Sequence, residues 1–108
     1  MKPERYKRAE ERKFRRIAIR FGLEKPEHRA MGIQISIRGM FIATNHPIYV
    51  SGSKLIIEIQ TSNGSFNVDA IVRHSKKVPP QMVQHDRPGM GVEFIDAPPE
   101  LRDYLALL

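Results

Sequence analysis

Six arginines, Arg5, Arg8, Arg12, Arg15, Arg16 and Arg20, fall within sixteen positions near the start of the chain. A guanidinium is a planar, permanently charged fork. It can pair with O6 and N7 of guanine or with phosphate oxygens, and its flat face can stack on a base. The spacing creates three overlapping R-x-x-x-R registers, 8/12, 12/16 and 16/20. On charge alone, a solvated basic arm accounts for them equally well.

Other chemistries find little support. The chain has no Cys, which removes disulfides, thiolate zinc sites and cysteine nucleophiles together. The four His, at 28, 46, 74 and 85, lack any two-to-four-residue ligand spacing, which argues against a metal site. Ser36 sits in no nucleophile elbow, and no Gly-rich phosphate loop precedes a helix. The residues therefore favour binding over catalysis, and no enzymatic activity is expected.

The charge is also localised. Residues 1–29 hold eleven Lys or Arg against five Glu, while residues 30–108 hold seven of each sign. The whole net charge of +6 belongs to the first quarter of the chain. Such a segment attracts phosphates of a nucleotide, a nucleic acid or an anionic membrane surface, and its binding should weaken with salt. No signal-peptide core and no run of about 20 apolar residues is present, so a cytoplasmic protein is expected.

Elements must position these groups, and 108 residues allow one small core. Ile17, Ile19 and Phe21 alternate with polar neighbours as in a half-buried strand. Ile33, Ile35 and Ile37 alternate with Gln34, Ser36 and Arg38, which predicts a second strand with three polar side chains on its solvent face before Gly39 breaks it. Further strands are expected at 40–43, at 54–61, at Phe66 to Val72 after a Ser62-Asn63-Gly64 turn, and around Gly91 to Ile95. A loop from Lys76 to Pro88 separates the last two.

Asp96-Ala97-Pro98-Pro99-Glu100 reads as a helix start, with Asp96 or Ala97 near the cap. Leu101, Tyr104, Leu105 and Leu108 then recur at helical spacing. The sum is an all-β fold with a C-terminal helix: a six-stranded antiparallel β-barrel whose end or side the helix covers. A flexible basic arm over 1–11 and a barrel domain over 12–108 is the expected organisation.

Three segments in order, Arg12-Lys13-Phe14-Arg15-Arg16-Ile17-Ala18-Ile19, Gln34-Ile35-Ser36-Ile37-Arg38-Gly39-Met40-Phe41 and Gly89-Met90-Gly91-Val92-Glu93-Phe94, followed by the helix, resemble a PilZ domain. The likeness covers roughly residues 8–108. It implies a bacterial receptor for the second messenger cyclic di-GMP, gripped by R-x-x-x-R on the arm and [D/N]-x-S-x-x-G on the barrel. Arg12 and Arg16 match the first motif, because Phe14 and the strand opening at Ile17 fix the register. Ser36 and Gly39 match the second; Gln34 stands where the family usually has Asp or Asn.

The resemblance makes Arg12, Arg16, Gln34, Ser36 and Gly39 the expected ligand residues, with Arg8, Arg15 and Arg38 as auxiliaries. Gln34 and Ser36 are expected side by side on the outer wall, with the arm folding over a nucleotide held there. An unidentified effector protein would then read the altered surface. A PilZ-like adaptor with weak or no nucleotide binding is the alternative. A small nucleic-acid-binding barrel is disfavoured by the shortage of exposed aromatic residues for base stacking.

Overall fold

The computed structural model describes residues 15–82 and 86–108. Six strands follow in sequence: β1 (Ile17–Gly22), β2 (His28–Ile33), β3 (Gly39–Ala43), β4 (Lys54–Thr61), β5 (Gly64–Lys76) and β6 (Gly89–Ile95), then a helix, α1 (Pro99–Ala106). A single 3-10 turn, Pro80–Met82, interrupts the connection between β5 and β6. The strands pair antiparallel in the order β1-β2-β3-β6-β5-β4 and close on themselves through β1 and β4, giving the six-stranded barrel expected. Closure leaves no strand of the barrel unpaired along a side.

Alternation decides what fills the interior. Ile17, Ile19 and Phe21 from β1, Leu55, Ile57 and Ile59 from β4, and Val68, Ala70 and Val72 from β5 all point inward and are buried. Met40 and Ile42 from β3 and Met90 and Val92 from β6 complete the wall. β2 contributes no large buried side chain. Its Gly32 makes room for the Met40 thioether, whose sulfur lies 2.4 Å from where a β-carbon would stand.

α1 lays Leu101 and Leu105 into the same core, both with essentially no exposure, and Tyr104 contacts Phe66 at a ring-centroid distance of 6.2 Å. The helix starts later than the sequence suggests. Its N-cap is Pro98, with Pro99 in the first turn and no side chain bonding the first amides, while Asp96 takes a left-handed φ of 51° at the end of β6.

The largest departure from expectation falls on residues 33–38. The strand precedes this segment: β2 runs from His28 to Ile33, and the chain then turns. Gln34 adopts φ 50°, which breaks the period of two, so Ile35 is fully buried while Ile33 and Ile37 are only half-buried. The three isoleucines do not share one strand face. Ser62-Asn63-Gly64 does make the β4–β5 turn, with the positive φ carried by Gly64, at 114°, and the turn closed by the Thr61 hydroxyl on the Gly64 carbonyl at 2.6 Å.

Candidate functional site

The registers bring several cationic and polar residues to one end of the barrel. Arg15 and Arg16 are exposed and lead directly into β1, whose Ile17 pairs with Gly32. Gln34 follows two residues after Gly32, and Arg38 precedes Gly39, which pairs with Glu93 of β6. Arg16, Gln34, Arg38 and Glu93 thus belong to neighbouring strand ends. Arg8 and Arg12, with the rest of the expected arm, lie outside the described residues.

The turn between β2 and β3 is built from its own backbone. The Ser36 amide donates to the Gly39 carbonyl at 2.9 Å, and the Arg38 amide donates to the Ser36 hydroxyl oxygen at 3.1 Å. Ser36 is only 3% exposed, so it does not stand beside Gln34 on an outer strand face as the alternation predicts. Its hydroxyl is instead part of a compact Ser turn that presents Gln34 and Arg38, both exposed. The Phe94 amide, donating to the Arg38 carbonyl at 2.7 Å, fixes the far side of that turn to β6.

Gly39 is needed for proximity. A β-carbon there would lie 2.0 Å from the Val92 carbonyl oxygen, so any side chain would push β3 off β6. Among the expected ligand residues within the described part of the chain, Arg15, Arg16, Gln34 and Arg38 are exposed, whereas Ser36 and Gly39 are buried in the wall.

Three further residues join the site that sequence reading does not single out. Between Val72 and His74 the β5–β6 register slips by one residue: Val72 pairs with Val92, His74 with Gly91, and Arg73 is the extra residue of a β-bulge. The bulge places consecutive side chains, Arg73 and His74, on the same outer wall. Its carbonyls find partners in the β3–β4 connection. The Gly52 amide donates to the Val72 carbonyl at 2.7 Å, and the Ser51 hydroxyl to the Arg73 carbonyl at 2.9 Å.

His74 lies over Gly91, where a β-carbon would fall 2.2 Å from its ring, and its ring is tilted against Phe41 at 6.5 Å. Arg73 Nε donates to Glu93 Oε1 at 2.7 Å across the two strands. With Gln34 and Arg38 these groups line a recess of about 420 Å³ floored by Met40, Phe41, Gly91 and Val92. Arg38 and Glu93 also border an adjoining cleft of about 520 Å³ toward Asp96 and Arg102, at the start of α1. The signal in the sequence is the run of five polar residues, Arg73 to Lys77, that ends the alternation of Phe66, Val68, Ala70 and Val72.

The recess combines two guanidinium groups, an imidazole, an amide and one carboxylate around an apolar floor. That donor set suits a flat, hydrogen-bonding, anionic molecule. Among the described residues, no group of three or more His, Asp or Glu side chains could hold a metal ion, and no helix is long and apolar enough to cross a membrane.

Fold and site together define a small closed antiparallel barrel with a terminal helix and a cationic recess on its outer wall. The PilZ domain model matches residues 6–108, and the chain belongs to the PilZ domain family. No curated protein matches the sequence. Among solved structures, the Bacillus subtilis inhibitor of motility, MotI/DgrA, is similar in fold, with a TM-score of 0.75 at 18% identity. The match covers 94% of this chain and 48% of that one, so this chain spans about half the length of MotI/DgrA.

Proposed function

We propose that this chain is a non-enzymatic receptor for cyclic di-GMP, which binds between the Arg-rich N-terminal segment and the outer wall of the barrel and thereby changes the surface offered to a protein partner. The observation that carries the reading is the convergence of Arg15 and Arg16, at the entry to β1, with Gln34 and Arg38 on the β2–β3 turn beside the recess. Membership of a family that binds this nucleotide supports it.

In this reading Arg12 and Arg16 grip guanine and phosphate, and Arg8, Arg15 and Arg38 add cationic contacts. Gln34 meets a guanine edge with one neutral oxygen. Ser36 acts through the turn it closes, and Gly39 by keeping β3 against β6. The adjoining cleft places Arg38 between the recess and the start of α1, which offers a route by which ligand could alter the partner-facing surface.

Titration calorimetry with cyclic di-GMP tests the reading. Micromolar or tighter binding that is lost in Arg12→Ala and Arg16→Ala supports a receptor. An intact fold that produces no heat overturns it in favour of an adaptor acting by protein contact alone, a reading for which Gln34, in place of Asp or Asn, is the favouring observation.

A further inference from the structure

We infer that Glu93 reads the base of the bound nucleotide, making the recess between β3, β5 and β6 selective for guanine over adenine. The inference rests on the receptor reading above and assigns a role to a residue outside the arginine and turn motifs.

The Watson–Crick edge of guanine presents two neighbouring donors, N1–H and N2–H. A carboxylate offers two acceptors at matching separation, and bonds to an ionised acceptor are the stronger kind. Adenine presents an acceptor at N1 beside a single donor at N6, so one carboxylate oxygen would face a lone pair. An amide reverses the preference, because its oxygen and NH₂ complement the acceptor and donor of adenine.

Among the groups around the recess, Glu93 is the one charged acceptor for the two donors of that edge. Arg38 and Arg73 only donate, and Gln34 is an amide. Glu93 is also held. Arg73 Nε takes its Oε1 at 2.7 Å, which orients the carboxylate and balances its charge locally, so it can stand in a site for a doubly negative ligand. The bulge that aims Arg73 is itself tied down by Ser51 and Gly52. Beside the pair, the His74 ring lies over Gly91 and offers a flat face on the same wall.

The test is the ratio of dissociation constants for cyclic di-AMP and cyclic di-GMP, measured by calorimetry on the full chain. The wild-type chain should favour cyclic di-GMP. Glu93→Gln should lower the ratio by about tenfold or more, through weaker guanine binding and stronger adenine binding, the size expected when a charge-assisted pair is replaced by a neutral one. Ser65→Ala, an exposed position on β5 outside the recess, should leave the ratio within about threefold of wild type, and circular dichroism establishes that both variants are folded. If Glu93→Gln does not fold, Glu93→Ala replaces it, with loss of discrimination expected.

Binding of cyclic di-GMP with a ratio unchanged in the Glu93 variants overturns this inference and leaves the receptor reading standing. So does a ratio that collapses equally in Ser65→Ala. Absence of cyclic di-GMP binding to the wild-type chain overturns both.

Discussion

At the scale of single residues, Gln34 carries two consequences of one backbone angle. Its φ of 50° lies in the left-handed region, which costs an L-residue about 1–2 kcal/mol and which Asn and Asp tolerate better than Gln. The Asp or Asn usual in the family at this point therefore suits the turn as well as the proposed ligand. Gln34→Asn is expected to raise thermal stability by up to about 1 kcal/mol, read as an upward shift in melting temperature. Gln34→Asp should also tighten cyclic di-GMP by roughly tenfold, since a charged acceptor replaces a neutral one. Unchanged or weaker affinity would reject that account of position 34. Gly39→Ala should move the other way. Its methyl would sit 2.0 Å from the Val92 carbonyl, and the forced separation of β3 from β6 should cost about 1–3 kcal/mol in a denaturant melt.

At the scale of elements, the bulge in β5 is where packing meets the proposed site. Ser51 never reaches the recess, yet its hydroxyl satisfies the Arg73 carbonyl. Ser51→Ala should cost about 1 kcal/mol of stability and weaken nucleotide binding more than an exposed substitution such as Ser65→Ala, because the aim of Arg73 and His74 depends on that bond. Side-chain chemical shifts of His74 in the two variants provide the check. The helix is tested separately. Leu105→Ala removes a side chain that is 1% exposed, and a loss of about 2–5 kcal/mol is expected in equilibrium unfolding.

The same scale explains what the sequence made readable. Strands β1, β4 and β5 are legible because one face is mostly apolar and the other mostly polar, as Ile17, Ile19 and Phe21 illustrate, and β3 and β6 as short apolar runs bounded by glycine. The stretch from Ile33 to Arg38 carries an equally regular pattern and is nonetheless a turn, since side-chain types do not report the left-handed angle at Gln34 that reverses its parity. Ser36, expected on an outer strand face, is buried in the turn for that reason. Arg73, His74 and Glu93 escaped notice because only the non-local register of β5 with β6 joins them. Gln34 and Arg38 needed no such register; they share one turn.

At the scale of the molecule, the charge surplus of the first 29 residues sets how affinity responds to solution conditions. Binding of a doubly charged ligand should weaken steadily as salt rises from 50 to 500 mM, while the thermal midpoint of the ligand-free chain changes little. Acid acts at a different place. The hydrogen bond from Lys76, followed by that from the Arg87 amide, holds the Asp86 carboxyl below its ordinary value of 3.8. A lowered carboxylate stabilises the fold above its unfolded value and ceases to do so as pH falls through the folded one. The tie between the end of β5 and the β5–β6 connection should therefore persist at neutral pH and release only below about pH 4. In a carbon-detected titration, the Asp86 midpoint should lie below 3.8 and return toward it in Lys76→Ala.

The extra residue at position 73 also bears on how relatives of this chain are compared. Upstream of it, even-numbered members of β5 such as Val68, Ala70 and Val72 face the interior; at the bulge His74 departs from that rule and is exposed beside Arg73. A relative one residue shorter at this point would still close its cylinder, but only one of the two neighbouring side chains would look outward, and a comparison made column by column would equate groups that stand on opposite sides of the wall.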